Sequence, residues 1–395
     1  MIFRIMMSSS LLILGASSRA AAFSALAGGL SPVSIDLFAD ADLAARCPVS
    51  VARDYPAGLV AAARNATDGP WMYTGGLENR PDLVEQISAH RALYGNPGDV
   101  LRRVRDPWSV RHALVAAGLM VPDLQRAPHR LEFHGRWLRK PLRSSGGGGI
   151  GFWTSAAIEP RPQDDGHYFQ QYIEGRACAA IYLAAARHAR LVGTTEQILL
   201  ANDDGSPGFR YAGSIGPLPA DARRDQALAH LGQVLAEEFR LRGLFGVDFI
   251  DDGHDVWPVE VNPRYTASVE VLERSLGFSA VGEHVVACRD GQLPGAEALH
   301  RGTTRWQAKQ ILYADGDAMI SDAFTADALA ANRGATLPAV ADIPRPGTTV
   351  KTGQPVMTIF AGAETREVAM DHLAERALFW RERLALCHTA PAVLS

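Results

Sequence analysis

The stretch GLFGVDFIDDGHDVWPVEVNPR, residues 243–264, decides the fold interpretation because two apolar strands in it carry polar residues at fixed positions. Asp252-Gly253 marks the turn of a β-hairpin. On the second strand Glu260 and Asn262 are two residues apart, so their side chains point to one face. Carboxylate and amide oxygens suit Mg²⁺, which usually keeps waters and binds substrate phosphates. The hairpin therefore predicts a magnesium site.

Asp248 lies on the first strand of the same hairpin. To share the face of Glu260, it needs a turn with an odd number of loop residues or a β-bulge, which would place it opposite Pro258 and diagonal to Glu260. Buried carboxylates need a partner or a metal. We therefore predict Asp248, Glu260 and Asn262 as metal ligands, with a solvated strand face as the alternative.

Upstream, RKPLRSSGGGGIGF at 139–152 places Lys140 on a strand that leads into a glycine run. A strand-borne lysine offers an ammonium group to phosphate oxygens, and a loop without Cβ atoms lets backbone N–H groups close over them. The pattern is not a Walker loop, because no Gly-Lys-Ser/Thr follows. A flexible surface hairpin is the alternative for the glycine run, and we expect a second hairpin between 131–135 and 136–141.

Between these two motifs lies YFQQYIEGRACAAIYLA, residues 168–184. Gln170 to Ile173 predict a short extended stretch that turns at Glu174-Gly175 into a strand. Such a stretch can present backbone donors and acceptors to a purine edge while Ile173 packs on the purine face. A buried strand with a glycine turn fits the same residues.

The flanking segments predict mixed α/β structure. LLILG followed by an Ala-rich helix and SIDLFA at 34–39 is a βαβ opening. Its turn lacks the G-x-G-x-x-G spacing, so we expect a scaffold unit rather than a nicotinamide site. Helical segments are expected within 78–122, and an amphipathic helix within 218–243 carries Leu228, Leu231, Leu235 and Phe239. From about 300 onward, short strands among turns predict a small separate β-rich domain ending in a helix at 371–387.

Composition excludes several classes of protein. A chain of 395 residues is too long for one compact core, so several domains are expected. A net charge of −4 gives no excess of positive charge with which to bind nucleic acid. Four scattered cysteines favour a reducing cytoplasm, and no long apolar run predicts a membrane span. The first residues resemble a secretory leader in placing Arg4 before an apolar run. However, the run of large apolar residues is only Leu11 to Leu14, and Arg19 breaks the longer apolar region that a leader needs. A strand is therefore favoured.

The order of the three motifs resembles the ATP-grasp superfamily. RKPLRSSGGGGIGF, FQQYIEG and GLFGVDFI with VEVNPR follow one another as in that family, over about residues 100–290. The resemblance implies an α/β (α+β) ATP-grasp fold. Residues 1–100 would be a Rossmann-like pre-ATP-grasp domain and 101–295 the ATP-grasp domain, with an ATP-binding lobe at 101–167 and a metal lobe at 168–295. Residues 296–395 would form the small C-terminal domain.

The same resemblance implies roles for single residues. Arg264 would stabilise the transferring phosphoryl group or a tetrahedral intermediate, and Lys140 would bind ATP phosphates. One or two Mg²⁺ would be held by Asp248, Glu260 and Asn262. The remaining nucleotide-binding residues are expected to be Gly146, Gly147, Gly148, Gly149, Gln170, Tyr172, Ile173 and Glu174.

Two family features are missing from this sequence. The acidic residue that binds ribose is replaced by Ala177 and Cys178, which leaves Glu174 as a substitute. The family's earlier lysine is also absent, and Arg103 and Arg105 are the candidates to replace it, although both are equally consistent with solvated helix charges.

The function implied is ATP- and Mg²⁺-dependent joining of a carboxylate to an amine through an acyl phosphate. A resemblance to carboligases related to biotin carboxylase suggests an amino acid such as glutamate as the amine, in one-carbon cofactor synthesis. Small-molecule substrates are the expected partners, and a homodimer stays open.

A bicarbonate-activating carboxylase is one alternative, although Lys351 lacks the flanking methionines of a biotinylated lysine. A nucleotide-binding module without turnover is the other.

Overall fold

The protein is described by a computed structural model that covers residues 10–126, 136–153, 166–202, 208–302 and 305–387. The expected hairpin partner at 131–135 lies outside these residues.

The N-terminal unit is a parallel sheet with helices around it, as the βαβ opening predicts. Its strands, in the order β3-β2-β1-β4, are all parallel. Apolar side chains of β1 are buried on both faces, which explains its continuous apolar run. The elements are β1 Ser10–Leu14, α1 Arg19–Ala27, β2 Ser31–Asp36, α2 Ala41–Ala44, β3 Val49–Val51, α3 Leu59–Asn65, β4 Trp71–Tyr73, a 3₁₀ turn Leu77–Asn79 and α4 Pro81–Ser88.

Two helices and a small antiparallel sheet follow. The helices are α5 Gly98–Val104 and α6 Pro107–Ala116, and α6 begins at the Asp106 cap, whose carboxylate accepts from the Ser109 amide. The sheet has the order β5-β8-β6-β7, and the glycine run joins β6 to β7. Its strands are β5 Leu124–Gln125, β6 Trp137–Pro141, β7 Gly151–Phe152 and β8 His167–Gln171.

A large antiparallel sheet with helices packed on it makes up most of the described chain after β8. Within the described residues it has eight strands in the order β13-β12-β9-β10-β11-β14-β18-β16. One face of its β9–β13 part packs against α7, whose Leu228, Leu231, Leu235 and Phe239 are buried as predicted. Its opposite face packs against α1, α8 and α9. The elements up to residue 299 are β9 Arg176–Ala185, β10 His188–Leu200, β11 Arg210–Gly216, α7 Ala222–Phe239, β12 Gly243–Asp251, β13 Val256–Asn262, α8 Ala267–Leu276, α9 Ala280–Asp290 and α10 Ala296–Leu299.

The C-terminal strands extend this same sheet. β14 pairs with β11 and β18 pairs with β14, so the hydrogen bonding continues across residue 296, where we placed a domain boundary. That boundary stays a prediction, and the final helix begins at 366 rather than 371. The elements are β14 Trp306–Tyr313, β15 Ala318–Met319, α11 Asp322–Ala330, β16 Val340–Ala341, β17 Thr349–Val350, β18 Pro355–Ala363 and α12 Arg366–Ala385.

Candidate active site

The β12–β13 hairpin brings the predicted metal ligands to one face by means of a β-bulge. Asp248 pairs directly with Glu260 and Phe249 with Pro258, and the register shifts between Asp248 and Phe249. The prediction that Asp248 lies opposite Pro258 is therefore wrong, although the predicted bulge is present. Val259 is the extra residue of the bulge, and the shift lets both carboxylates face the same cleft.

Asp248 is held by amide groups rather than by a cation. Its Oδ1 accepts from Gln197 Nε2 at 2.9 Å, and its Oδ2 accepts from Asn262 Nδ2 at 3.1 Å. Burial, together with the nearby Glu260 carboxylate, raises the pKa of Asp248 to about 7. A carboxyl group in this position is poised to ionise when a divalent cation arrives.

Glu260 is in the opposite electrostatic situation. Burial disfavours its charge, but the Arg105 and Lys140 cations prevail and hold the pKa of Glu260 below its ordinary value. Arg105 Nη1 donates to Glu260 Oε1 at 2.7 Å and to the Val261 carbonyl at 3.0 Å. Of the two arginines considered for the missing lysine, Arg105 lies in the site, whereas Arg103 is exposed and pairs with Glu238.

Lys140 connects the small sheet to the β12–β13 hairpin. It is 7% exposed, and its Nζ donates to Gln170 Oε1 at 3.0 Å and to the Val259 carbonyl at 3.2 Å. The bulge thus turns a backbone oxygen toward the ammonium group. An ammonium fixed by two acceptors keeps one N–H bond for an anionic ligand, since it has three donors.

Arg264 faces the cleft and is bound on its other side by the N-terminal unit. Its Nε donates to Glu78 Oε1 at 2.8 Å, its Nη1 to the Tyr265 carbonyl at 3.1 Å, and its Nη2 to Asn262 Oδ1 at 3.3 Å. Glu78 is 1% exposed, so this ion pair is nearly removed from water. The pair fixes the guanidinium beside Asn262, one of the predicted metal ligands.

The glycine loop lies against the large sheet at the edge of the cleft. The Tyr211 amide donates to the Gly146 carbonyl at 3.1 Å. Gly147 has φ of +76°, and a Cβ at that position would lie 1.8 Å from the Phe209 carbonyl oxygen. No other residue fits there without moving the loop.

The predicted purine-binding stretch, Gln170 to Ile173, lines the cleft from the end of β8 onward. The Gln171 and Tyr172 amides donate to the Asp123 and Arg136 carbonyls, both at 2.9 Å, so these two donors are already engaged. The contact of this stretch with a purine edge stays a prediction. Gln170 contributes by holding Lys140. The Tyr172 ring lies 5.0 Å from that of Phe152, centroid to centroid, and supplies an aromatic wall.

These residues surround one cleft with a cavity volume of about 230 Å³. It is lined by most of the predicted site residues, namely Lys140, Gly146, Gly147, Gln170, Tyr172, Ile173, Asp248, Glu260, Asn262 and Arg264. Gly148, Gly149 and the exposed Glu174 are not among its lining residues, and their nucleotide contacts stay predictions. Sequence reasoning missed Gln197 and Glu78, because neither stands in a motif.

The residues present fit a magnesium ion that is shared with phosphate. No cluster of three or more His, Cys, Asp or Glu side chains with metal-binding geometry occurs in the described part of the chain. Two carboxylates and one amide are the incomplete set of hard oxygen ligands that Mg²⁺ completes with water and phosphate.

A carboxylate from the end of β2 lies at the turn before α1. Asp36 Oδ2 accepts from the Ser18 amide at 3.0 Å and from the Ser18 hydroxyl at 2.7 Å. A carboxylate thus occupies the start of the helix, where an anion would bind.

Comparison with known proteins identifies the class of this domain. Residues 104–268 match the sequence model of the ATP-grasp domain family, and the chain therefore carries an ATP-grasp domain. No curated protein matches the sequence. None of the helices in the described ranges is long and apolar enough to cross a membrane.

Solved structures extend the fold comparison to nearly the whole chain. N5-carboxyaminoimidazole ribonucleotide synthetase from Thermus thermophilus superposes with a TM-score of 0.66 at 17% identity, over 97% of this chain and 99% of that one. The biotin carboxylase domain of Hydrogenobacter thermophilus 2-oxoglutarate carboxylase gives 0.69 at 13%, over 93% and 89%. L-amino acid ligase from Bacillus licheniformis gives 0.68 at 14%, over 93% and 96%. The ATP-grasp fold is thereby confirmed, including an N-terminal α/β unit.

Proposed function

We propose that the protein is an ATP-dependent ligase that activates a carboxylate as an acyl phosphate and couples it to an amine. The observation that carries the proposal is the meeting of two carboxylates and an amide with Lys140 and the glycine loop around one cleft. Similarity to a ligase and to carboxylating enzymes supports the class of reaction.

Each group has a part in the proposed reaction. Lys140 and the backbone of the glycine loop would bind the phosphates of ATP, while Tyr172 and Ile173 would border adenine. Asp248, Glu260 and Asn262 would hold Mg²⁺, which supplies neutralisation of phosphate charge. The guanidinium of Arg264, fixed by Glu78, would receive charge that develops on the transferring group.

The proposed ligation has two chemical steps. A carboxylate oxygen of the substrate attacks the γ-phosphorus, the bond to the β-γ bridging oxygen breaks, and ADP leaves. The amine nitrogen then attacks the acyl carbon, phosphate departs and the nitrogen loses a proton. The docked glycine loop would exclude water from the acyl phosphate between the steps.

The fold also bears on the biotin-dependent alternative. The segment DIPRPGTTVKTGQPVMTIFA, residues 342–361, resembles in sequence the small β-sandwich of biotinyl domains. It lies partly within the large sheet, since β18 pairs with β14. Lys351 forms an ion pair with Asp317, Nζ to Oδ2 at 2.8 Å. These contacts favour a structural role for the segment over a mobile carrier.

The test is ATP turnover against matched panels of substrates. ADP release should require both a carboxylate and an amine, such as an amino acid, and should stop in Glu260→Ala. ADP release that needs only bicarbonate would replace the proposal with carboxylation. MgADP binding without turnover on any pair would instead indicate a binding module.

A cytoplasmic location and a homodimer are further proposals. All four cysteines are unpaired, which is consistent with a reducing compartment. Light scattering of the purified protein measures the assembly directly, and a monomer mass would reject the dimer.

A further inference from the structure

The 3₁₀ turn Leu77–Asn79 of the N-terminal unit reaches into the active site of the ATP-grasp domain. Glu78 fixes this turn, because its Oε1 accepts from Arg264 Nε at 2.8 Å and its Oε2 accepts from the Gly76 amide at 2.6 Å. Breaking a buried ion pair is costly, since it leaves a charge without a partner. The turn is therefore held at a defined place beside the cleft.

The next residue, Asn79, extends from this turn to the start of the glycine loop. Its Nδ2 donates to the Ser144 carbonyl at 3.1 Å. Arg105 Nη2 approaches the same carbonyl and Asn79 Oδ1, both at 3.4 Å, while Arg105 Nη1 donates to Glu260, a predicted metal ligand. The Ser144 carbonyl is thus bound from the N-terminal unit and from the ATP-grasp domain.

We propose that Asn79 is a positioning residue that anchors the start of the glycine loop, so that the N-terminal unit helps to hold the loop over the nucleotide. The inference rests on the proposed nucleotide site. Asn79 acts through the loop and contacts no reacting atom.

The physical reason is that, among the described residues, hydrogen bonds attach the loop to the rest of the chain near its start and at Gly146. Ser144 is tied to Asn79 and Arg105 at its start, and Gly146 is tied to the Tyr211 amide two residues later. Local opening of a segment depends on the few contacts that hold it, so the loss of one hydrogen bond shifts the opening equilibrium measurably. The fold, which is stabilised by cores elsewhere, should be little affected.

The experiment compares three variants of the full chain with the wild type. Asn79→Ala removes both hydrogen-bonding atoms. Asn79→Asp has nearly the same shape and keeps the acceptor for Arg105, but it loses the N–H donor to Ser144. Glu85→Gln is the control, because Glu85 lies on α4 of the same unit and pairs with the exposed Arg102. Amide hydrogen exchange at 144–149, MgADP affinity by calorimetry and melting temperature are measured for each.

We expect exchange at 144–149 to be about three- to tenfold faster in Asn79→Ala and in Asn79→Asp, with MgADP affinity falling by a similar factor, because one neutral hydrogen bond is lost. Glu85→Gln should match the wild type, and the melting temperature should stay close to it in every case. The isosteric Asp variant keeps the test usable if Asn79→Ala does not fold.

Two results would overturn the inference. One is wild-type exchange and affinity in both Asn79 variants. The other is wild-type exchange and affinity in Asn79→Asp alone, which would assign the change in Asn79→Ala to the lost contact with Arg105. Failure of the wild type itself to bind MgADP would instead reject the proposed function, so the two failures are distinguishable.

Discussion

Alanine substitutions along the glycine loop should weaken nucleotide binding to different extents, because the glycines differ in φ and in the space around a Cβ atom. Gly148 has no positive φ, and the nearest atom to a Cβ there is the Ser145 carbonyl oxygen at 3.5 Å, an ordinary contact. Gly146 has φ of +62° with open space around its Cβ position. Gly147 combines φ of +76° with a Cβ position 1.8 Å from the Phe209 carbonyl oxygen.

These differences determine how much MgADP affinity each variant should lose. The left-handed conformation costs an alanine about 1–2 kcal/mol, so Gly146→Ala should weaken MgADP binding about tenfold if the docked loop is needed for binding. Gly147→Ala adds a backbone clash that moves the loop off β11 and breaks the hydrogen bond from the Tyr211 amide to the Gly146 carbonyl. The loss of this hydrogen bond weakens binding by about 1 kcal/mol more. The combined loss is roughly 30-fold or greater. Gly148→Ala should change the affinity by less than about threefold.

The assay is calorimetric titration of each variant with MgADP, with melting temperatures as the check on folding. Equal affinities for Gly147→Ala and Gly148→Ala, in variants that are both folded, would refute the docked loop as part of the nucleotide site.

Three further predictions follow from the site and from buried charges. Glu260→Ala and Asn262→Ala should abolish amine-dependent ADP release while leaving the circular dichroism spectrum unchanged, and full activity in either would remove the metal assignment. Burial lowers the pKa of His284 to about 4, and the Leu244 amide donates to its Nδ1 at 2.8 Å, so the neutral ring is the native form. Because the unfolded ring binds a proton below about pH 6.5, the unfolding free energy should fall by about 3 kcal/mol as pH drops from 6.5 to 4. Urea titrations should show His284→Gln losing this dependence, and the exposed His230→Gln keeping it. Glu270→Gln should destabilise the fold by about 3 kcal/mol, because the buried Lys309 loses its carboxylate partner and the buried Arg19 keeps Asp342 but loses Glu270, and a change below 1 kcal/mol would contradict this.

Local pattern was enough to predict the elements that carry the site. The period of two along β13 placed Glu260 and Asn262 on one face, and the spacing of apolar residues predicted α7. These signals depend only on neighbouring residues, and therefore a sequence contains them in full.

The pairing between distant residues could not be predicted in this way. Arg105 meets Glu260 across 155 positions, and Glu78 meets Arg264 across 186, so no local pattern joins them. The bulge at Val259 depends on tertiary structure as well, since its carbonyl accepts from Lys140 of another sheet. Likewise, the pairing of β14 with β11 joins residues about 100 positions apart, which no local pattern indicates.

The most direct test of the central claim is a crystal structure of the protein with ADP and Mn²⁺, located by its anomalous scattering. The proposed site predicts a metal ion at roughly 2.0–2.2 Å from oxygens of Glu260 and Asn262, with nucleotide phosphate near Lys140 under the glycine loop. A metal and nucleotide bound away from the β12–β13 hairpin would contradict it.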